Sequence, residues 1–251
     1  MLSIAKNKSQ ILSLFGLKYI RLILDEINPQ EIESLKKDYD YIVIYVYKKP
    51  NINGFEIKEQ TISIIDLSQN PDDIFKKFKK NTRNEIYKTE KIKELKFMNL
   101  DDNFNASYKF YKKIKKQDGA IPDIKKEFLG CLFFNAYLNN KIIASVSVYD
   151  TGQVLRLKHI VSSRKESNFD SRIAGYATRR IIWEIIKYGV SRGYKKLDMA
   201  GVNLTDPSKK GIAEFKQSFG GEIFTNYICR YETKKFKFLK KIINFFGMNI
   251  N

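Results

Sequence analysis

The chain has 251 residues, 43% of them hydrophobic and 14% aromatic, which is ample for a packed core and excludes a disordered protein. Lysine and arginine outnumber aspartate and glutamate by 46 to 28, which gives a formal net charge of +18 at pH 7. This excess favours anionic partners such as RNA, phosphorylated cofactors or an anionic membrane surface. The lysines are spread along the whole chain, so a generally lysine-rich proteome is an equal explanation.

Cysteine usage and known catalytic motifs exclude several classes of protein. Cys131 and Cys229 lie in apolar, strand-like runs without a CxxC pair or a nearby histidine, so we expect core thiols in a reducing compartment and no metal site. No HExxH motif, Walker loop or Ser-His-Asp arrangement is present. No apolar run reaches about 18 residues, so neither a signal peptide nor a spanning helix is predicted, and we expect a cytoplasmic protein.

The first 70 residues predict a small N-terminal α/β extension. Their beginning is weakly patterned, and we predict two helices there, Ser9–Ile27 and Pro29–Lys37. The run Tyr41–Tyr47 (YIVIYVY) is rich in β-branched and aromatic residues, as is typical of a strand, and Thr61–Leu67 predicts a second strand.

From residue 71 to residue 233 the pattern predicts one larger domain. Asn70-Pro71-Asp72-Asp73 is a helix start, with a cap, an early proline and acids in the first turn. The predicted order is helix, helix, three-stranded meander, helix, strand, helix, strand. After the basic first helix we predict a second helix at Asp102–Lys116 and a long helix at Arg172–Arg192. The predicted meander strands are Cys131–Leu138, Lys141–Tyr149 and Val154–Ser162, and a last strand lies in Glu222–Thr233.

The stretch Tyr194–Gly221 carries the strongest functional signal. A short apolar strand ends at Asp198, which would place a carboxylate at a sheet edge. A polar loop follows, and then a short helix with Lys216 beside its apolar face. Gly220-Gly221 ends that helix before the last strand begins.

Several of these residues resemble a known family. Asp198, Gly201, Phe215-Lys216 and Phe219-Gly220-Gly221, together with the helix Lys80–Ile86 (KNTRNEI), are similar to the Fem-type peptidoglycan aminoacyltransferases of the GNAT acyltransferase superfamily. The resemblance implies a GNAT-like α/β fold with a mixed sheet and helices on both faces. It also implies an acyltransferase.

A second motif concerns the donor. The run Arg172–Ala177 (RIAGYA) is similar to the superfamily's R/Q-x-x-G-x-G/A motif, which implies that Arg172, Gly175 and Ala177 bind the pyrophosphate of acyl-CoA at a helix N-terminus. The preceding loop is longer than in most acetyl-CoA enzymes. It lacks their proline-and-glycine run, as in Fem-type enzymes, which use aminoacyl-tRNA. Packing of the helix on the sheet is the structural alternative for Gly175 and Ala177.

Transfer of an acyl group to an amine needs a proton acceptor and a stabilised oxyanion. Backbone N–H groups near Ile160 and Val161 are candidates for the oxyanion contact. Asp198 and His159, the single histidine, are candidate proton acceptors, although a lone strand histidine is more often simply packed.

Three further residues complete the candidate site. The resemblance implies that Lys216 steadies the phosphate or the developing charge of the donor. It also implies that Arg83 faces the substrates, although a solvated basic helix face is the common alternative. Tyr149, at the end of a meander strand, is a further candidate for substrate binding.

These observations lead to one main hypothesis and two alternatives. The main hypothesis is an N-acyltransferase that moves an acyl group from acyl-CoA to an amino group of a cell-envelope sugar or of a peptidoglycan or polysaccharide precursor. The first alternative is a Fem-type transferase that uses aminoacyl-tRNA and a peptidoglycan precursor. The second is a non-catalytic RNA-binding module, against which no RRM, KH or arginine-rich signature is present.

The C-terminal tail, residues 234–251, is basic and amphipathic. On a helix, Phe236, Leu239, Ile242, Ile243 and Phe246 share one side, and lysines gather on the other. This pattern suits an interfacial helix at the inner face of an anionic membrane. It equally suits a terminal helix that docks its phenylalanine side onto the protein's own sheet.

Overall fold

The computed structural model describes residues 10–14, 16–165 and 170–245. The strands in chain order are β1 (Gln10–Leu14), β2 (Leu17–Leu24), β3 (Tyr41–Val46), β4 (Glu56–Asp66), β5 (Leu95–Asn99), β6 (Cys131–Leu138), β7 (Lys141–Asp150), β8 (Val154–Ser162), β9 (Lys196–Gly201) and β10 (Glu222–Glu232). The helices are α1 (Pro29–Asp38), α2 (Pro71–Lys76), α3 (Lys80–Thr89), α4 (Phe104–Gln117), α5 (Ser171–Ser191), α6 (Lys210–Gln217) and α7 (Lys234–Phe245).

The chain packs as two compact units. One contains the residues up to Thr61 together with those from Thr225 onward, and the other contains Ile62–Phe224. The predicted division into residues 1–70, 71–233 and 234–251 differs from this one, because the end of β10 and α7 pack with the N-terminal residues.

The first unit has the strand order β1-β2-β3-β10. β2 lies parallel to β3, and β10 lies antiparallel to β3. Its core includes the apolar side of α1 and Cys229, whose thiol pKa is raised to about 11 by burial. Cys229 is buried, as expected for a core thiol, whereas Cys131 on β6 is only partly buried.

The helix predicted over Ser9–Ile27 is wrong, because this segment forms β1 and β2. Leu17–Leu24 pairs with the strongly β-forming strand β3, and most of its side chains are buried. Tertiary pairing therefore overrides a local pattern that also fits a helix. The second predicted helix is confirmed as α1, where the Asn28 side chain accepts the N–H of Gln30 and Pro29 opens the first turn.

The second unit has the strand order β4-β9-β8-β7-β6-β5. One face packs against α2, α3 and α5, in a core that contains Phe134 and Phe219. The other face packs against α4, in a smaller core that contains Phe133 and Tyr111. Neighbouring residues of one strand, Phe133 and Phe134, thus serve opposite faces, as the pleat of a strand requires.

The predicted order of elements from residue 71 onward is found, with two differences. The basic first helix is divided into α2 and α3, and the Lys79 N–H that separates them donates to the Ser218 carbonyl at 2.9 Å. The strand β5, Leu95–Asn99, was not predicted, because five residues of mixed polarity at a sheet edge give a weak signal.

The strands β8 and β9 separate along their length. They pair in parallel only from Val154 to Arg156 on β8, opposite Lys196 to Asp198 on β9. β8 then continues to Ser162 with β7 as its one neighbouring strand. Alternate backbone N–H groups of this stretch therefore point away from β7 into the gap that the divergence opens.

Candidate active site

A cavity of about 460 Å³ lies where β8 and β9 diverge. It is lined by the second half of β8, by α6, and by single residues of α4, α5 and β9. The lining side chains belong to Lys115, Leu157, Lys158, His159, Ile160, Ser162, Arg164, Thr178, Ala200, Ser208, Gly211, Ile212, Phe215 and Lys216. Three of the predicted site residues, His159, Ile160 and Lys216, thus share one cavity although up to 57 positions separate them in sequence.

Asp198 lies behind the wall of this cavity. Its side chain is fully buried and forms an ion pair with the equally buried Arg156. Its Oδ1 accepts the N–H of Ala200 at 2.7 Å, and Ala200 adopts a left-handed conformation with φ of 60°. This geometry gives Asp198 a structural role, because it holds the end of β9 in a conformation that L-residues seldom adopt. Acceptance of the amine proton by Asp198, directly or through water, stays a prediction.

Lys216 reaches the cavity from α6. Its Nζ donates a hydrogen bond to the Gly201 carbonyl at 2.7 Å. Burial lowers the pKa of Lys216 to about 8, an effect opposed by the charge of Asp198 and reinforced by that of Arg156. Lys216 is therefore still mostly a cation at neutral pH, held at the mouth of the β8–β9 gap.

His159 contacts a carboxylate that sequence reasoning missed. Its Nε2 lies 2.8 Å from Oδ2 of Asp123, and its ring packs against Tyr111 and Phe128. Burial lowers the pKa of His159, and the hydrogen bond to Asp123 opposes that shift. Asp123 stands 36 residues earlier in a polar loop, and no local pattern links it to the histidine.

Ile160 and Val161 point to opposite sides of β8. Ile160 lines the cavity, whereas the Val161 side chain is buried in the core beneath α4. Both residues pair with β7, opposite Val146 and Ser145. The free edge of β8 supplies the kind of backbone donors that the oxyanion hypothesis requires, whichever of the two residues contributes them.

The residues of the RIAGYA run contact the protein itself. Asp170 caps α5 by accepting the Arg172 N–H at 2.9 Å, and it pairs with the exposed Arg172 guanidinium at 3.0 Å. A Cβ on Gly175 would lie 2.3 Å from Nη2 of Arg164, so the glycine makes room for a cation that lines the cavity. Ala177 is buried in the main core. Gly175 and Ala177 thus have a packing explanation, whereas Arg172 forms an exposed ion pair at the start of the helix.

Arg83 and Tyr149 lie outside the cavity lining. Arg83 donates to the carbonyl oxygens of Lys76 and Phe78, and so it closes the C-terminus of α2. The Tyr149 hydroxyl accepts a hydrogen bond from Lys158 at 2.9 Å. Arg83 thus contacts the backbone of the fold, and Tyr149 contacts the cavity only through Lys158, which lines it.

Gly220 and Gly221, which follow α6, lie too close to neighbouring groups to carry a side chain. Gly220 has φ of 68°, and a Cβ there would lie 2.5 Å from the Lys77 carbonyl oxygen. A Cβ on Gly221 would lie 2.5 Å from Oγ of Ser63. Phe219 is fully buried, whereas Phe215 lines the cavity. The Phe215–Gly221 stretch therefore fixes α6, which carries Lys216, against β4 and the α2–α3 junction.

The charges around the cavity are unevenly compensated. Lys158 is buried and lies 2.9 Å from Asp123 and 3.2 Å from Glu127. Lys115, Arg164 and Lys216 also line the cavity, and none of them forms an ion pair with a residue in the described ranges. The cavity is consequently cationic and suited to an anionic ligand.

The described residues contain neither a metal-binding cluster nor a membrane-spanning helix. Within residues 10–14, 16–165 and 170–245, no three His, Cys, Asp or Glu side chains are placed to hold a metal ion. Over the same residues, no helix has the length and apolar character needed to cross a membrane.

Comparison with known proteins gives a family match and several structural neighbours. Residues 139–245 match the model of the FemAB family. The crystal structure of FemX is 12% identical with a TM-score of 0.62 and covers 94% of this chain and 86% of FemX. The C-terminal domain of a putative lysylphosphatidylglycerol synthetase from Agrobacterium fabrum is 10% identical, with a TM-score of 0.57 and coverage of 97% and 87%.

A putative GNAT-family acetyltransferase from Novosphingobium aromaticivorans is 9% identical, with a TM-score of 0.50, and covers 90% of this chain and 92% of its own. At such low identities these neighbours establish the fold alone. The search of curated proteins found no match.

The predicted GNAT-like fold and the Fem-type resemblance are thereby confirmed. The FemAB match runs from the turn before β7 to the end of α7, and so it includes both His159 and Lys216. The chain thus has a GNAT-like fold, and its residues 139–245 are similar to the FemAB family.

Proposed function

We propose that the protein transfers an aminoacyl group from aminoacyl-tRNA to an amino group of a peptidoglycan precursor. The observation that carries this proposal is the FemAB match over residues 139–245, which contains the cationic cavity side chains Arg164 and Lys216. The proposal takes the place of acyl transfer from acyl-CoA as the leading hypothesis.

The N-terminus of α5 supports the choice of donor. In the acyl-CoA hypothesis this helix end receives a pyrophosphate. Here the Asp170 carboxylate already accepts an N–H of the first turn and pairs with Arg172. A second anion at the same place would meet a like charge, so the predicted pyrophosphate contact is disfavoured.

The reaction divides into steps that the cavity residues suit. The acceptor amine attacks the ester carbonyl that joins the amino acid to the tRNA ribose, and a C–N bond forms. The carbonyl oxygen becomes an oxyanion, which the backbone donors on the free edge of β8 and the charged Lys216 would stabilise. The C–O ester bond then breaks, the ribose oxygen takes a proton, and the product is an amide.

The test is a transfer assay monitored by mass spectrometry. The acceptor is a nucleotide-linked pentapeptide precursor that contains a free lysine amine. The donors are tRNAs charged with single amino acids and, separately, acetyl-CoA. We expect the acceptor to gain one amino-acid residue from tRNA. Acetylation without aminoacyl transfer would overturn the proposal in favour of acyl-CoA, and tRNA binding without transfer would favour a non-catalytic RNA-binding module.

The helix α6 provides a matched pair of variants for this assay. Lys216→Ala removes the cation from the cavity and is expected to lower kcat by a factor on the order of 10²–10³. Lys210→Ala removes a lysine that is exposed on the same helix and lies 3.9 Å from Glu214. That control is expected to stay within about threefold of wild type, as is usual for an exposed charge.

We also propose a peripheral contact with the inner face of an anionic membrane through α7. Phe236 and Leu239 dock onto the protein's own sheet, which supports the docking alternative for that side of the helix. Phe238 is 66% exposed, and Ile242 is exposed among lysines. Phe246 lies outside the described residues, and the side chain of Ile243 is not described.

The membrane contact is tested by sedimentation with vesicles of phosphatidylglycerol and phosphatidylcholine at low salt. We expect binding that the double variant Phe238→Ser/Ile242→Ser weakens, because both side chains are exposed and their loss leaves the docked side of α7 in place. Failure of the wild-type protein to sediment, or equal sedimentation of the variant, would contradict the contact.

A further inference from the structure

The loop before β6 brings a carboxylate to the one histidine of the chain. Asp123 Oδ2 lies 2.8 Å from His159 Nε2, and the histidine lines the cavity. The other ring nitrogen, Nδ1, has no hydrogen-bond partner among the described residues. Since Nε2 is engaged with Asp123 and the ring lines the cavity, Nδ1 is the ring nitrogen left for a molecule bound there.

The position of Asp123 is fixed by several neighbours. Its backbone N–H donates to the Tyr111 hydroxyl at 3.1 Å, and its carbonyl accepts the Tyr108 hydroxyl at 3.0 Å. Lys158 donates to the same carboxylate oxygen that faces the histidine, at 2.9 Å. Because Asp123 is held at both its backbone and its side chain, it can fix the orientation of the His159 ring.

The charges around His159 determine its protonation. Asp123 from the loop favours the imidazolium form, whereas Lys158 from β8 and Lys115 from α4 oppose it, and the Tyr111 ring excludes water from one face. Burial is the largest influence and lowers the pKa of His159. Burial would raise the pKa of Asp123, but its contacts with His159 and Lys158 hold that pKa well below its usual range. This carboxylate is therefore ionised and only accepts hydrogen bonds.

A neutral imidazole beside an ionised carboxylate has one favourable tautomer. The proton stands on Nε2, where it is donated to Asp123, and the lone pair stands on Nδ1. This is the relation of orienting acid to general base that is known from hydrolase triads, although the roles of the two ring nitrogens are exchanged.

We infer that His159 accepts the proton of the attacking amine through Nδ1, and that Asp123 is the positioning residue that fixes this tautomer. The inference rests on the proposed function and deepens it. As the C–N bond forms, the amine proton moves to Nδ1. When the ester C–O bond breaks, the imidazolium returns that proton to the ribose oxygen, so atoms and charges balance.

The first test reads the tautomer directly. Because the chain contains a single histidine, selective ¹⁵N labelling gives two side-chain nitrogen resonances, which their couplings to the ring protons Hε1 and Hδ2 assign to Nδ1 and Nε2. We expect the spectrum of the neutral ring to show a protonated Nε2 and an unprotonated Nδ1, with a pKa below the ordinary value of 6.5. The opposite tautomer in the wild-type protein would overturn the inference.

The second test uses Asp123→Asn with Glu127→Gln as its matched control. Both carboxylates contact Lys158, but Asp123 alone contacts His159. An asparagine keeps an oxygen towards Lys158 and His159, because Lys158 donates to the same atom that faces the ring, but it lacks the negative charge that holds the proton on Nε2. We expect kcat to fall by a factor on the order of 10²–10⁴ with little change in KM, and the ¹⁵N spectrum to show a smaller population of the tautomer that is protonated on Nε2.

The control separates positioning from stability. Glu127→Gln removes one of the two carboxylates that pair with the buried Lys158, as Asp123→Asn removes the other. The two variants are therefore expected to lower the melting temperature similarly. Glu127→Gln should nevertheless keep kcat within about threefold of wild type and the tautomer unchanged. A Glu127→Gln enzyme as slow as Asp123→Asn would show that the lysine cluster acts through stability and would overturn the inference.

Failure of the proposed function gives a different result. If the wild-type protein acetylates the amine from acetyl-CoA and transfers nothing from tRNA, the donor is wrong, and Asp123→Asn in that assay still decides the role of the pair. If tRNA-dependent transfer is found and both Asp123→Asn and His159→Gln retain wild-type kcat, the proposed function stands and the inference is overturned.

Discussion

Lys216 combines a positive charge with a buried position, and the consequence is a titration near physiological pH. Its pKa is lowered to about 8 from 10.5, chiefly by burial. The charged form is present below pH 8 and is lost as the pH rises through that value. An oxyanion contact that depends on this charge therefore weakens on the alkaline side.

The first prediction uses this titration. Lys216→Arg keeps a cation that remains charged at all accessible pH values. We expect the ratio of variant to wild-type kcat/KM to rise between pH 7 and pH 9.5, since the titration of the acceptor amine is common to both enzymes and cancels. A ratio that stays flat over this range would show that the charge of Lys216 does not take part in the reaction.

The second prediction concerns Asp198, whose carboxylate neutralises Arg156 inside the protein. Asp198→Asn keeps an oxygen for the Ala200 N–H and removes the charge. We expect a loss of about 3–5 kcal/mol in the free energy of unfolding, measured in urea, because a buried guanidinium loses its counter-ion. The double variant Arg156→Met/Asp198→Leu should recover much of that loss.

This comparison also distinguishes structure from catalysis at Asp198. If Asp198→Asn is as stable as wild type but turns over more slowly by a factor on the order of 10² or more, the carboxylate takes part in proton transfer after all. A folded but slow variant would thus restore the role expected from its place at the end of β9.

At the scale of single elements, α7 offers a contrast between two phenylalanines two residues apart. Phe236 is buried and stacks on Tyr41 with ring centroids 4.4 Å apart, and Tyr41 stacks in turn on Tyr19 at 5.2 Å. Phe238 is exposed on the same helix. The helix is therefore anchored to β3 by one ring, and the other is open to solvent or a membrane.

The third prediction follows from that contrast. Phe236→Ala should destabilise the first unit by about 3–5 kcal/mol through the lost ring and the cavity that remains. Hydrogen-exchange mass spectrometry of peptides that cover β3 measures this loss locally. Phe238→Ala is the control and is expected to change protection by less than about 0.5 kcal/mol. Equal protection in the two variants would contradict the docking of Phe236.

At the scale of the whole molecule, the net charge of +18 predicts how the affinity for the proposed tRNA donor depends on salt. Each phosphate that a basic side chain neutralises on RNA releases counter-ions, so affinity falls with salt by a slope of about 0.7–0.9 per phosphate on logarithmic axes. A donor with a long phosphate backbone should therefore respond to salt more steeply than a short one.

The fourth prediction compares full-length aminoacyl-tRNA with a minihelix that carries only the acceptor stem. We expect KM to rise with potassium chloride for both donors, and more steeply for the full-length tRNA, while kcat changes little. Equal slopes would confine the contacts to the acceptor end. A KM independent of salt would contradict the role of the net charge in donor binding.

What the sequence by itself determined is the order of elements from residue 71 onward and the cavity side chains His159, Ile160 and Lys216. Short-range signals carry these features: the two-residue turns of the meander, the helical period of α5 and the glycines after α6. The match of Phe215-Lys216 and the glycines to the Fem-type pattern further indicated the similarity to the FemAB family over residues 139–245.

Only the tertiary structure decided which polar groups face the cavity and which are consumed within the protein. A carboxylate at the end of β9 has the same local sequence whether it is open to substrate or paired with Arg156, which lies 42 residues earlier. The same holds for Asp123 and His159, and for Gly175, whose missing side chain admits Arg164. Even β2 became a strand through its neighbour β3. Such partners meet by long-range packing, and a local pattern of residues contains no record of them.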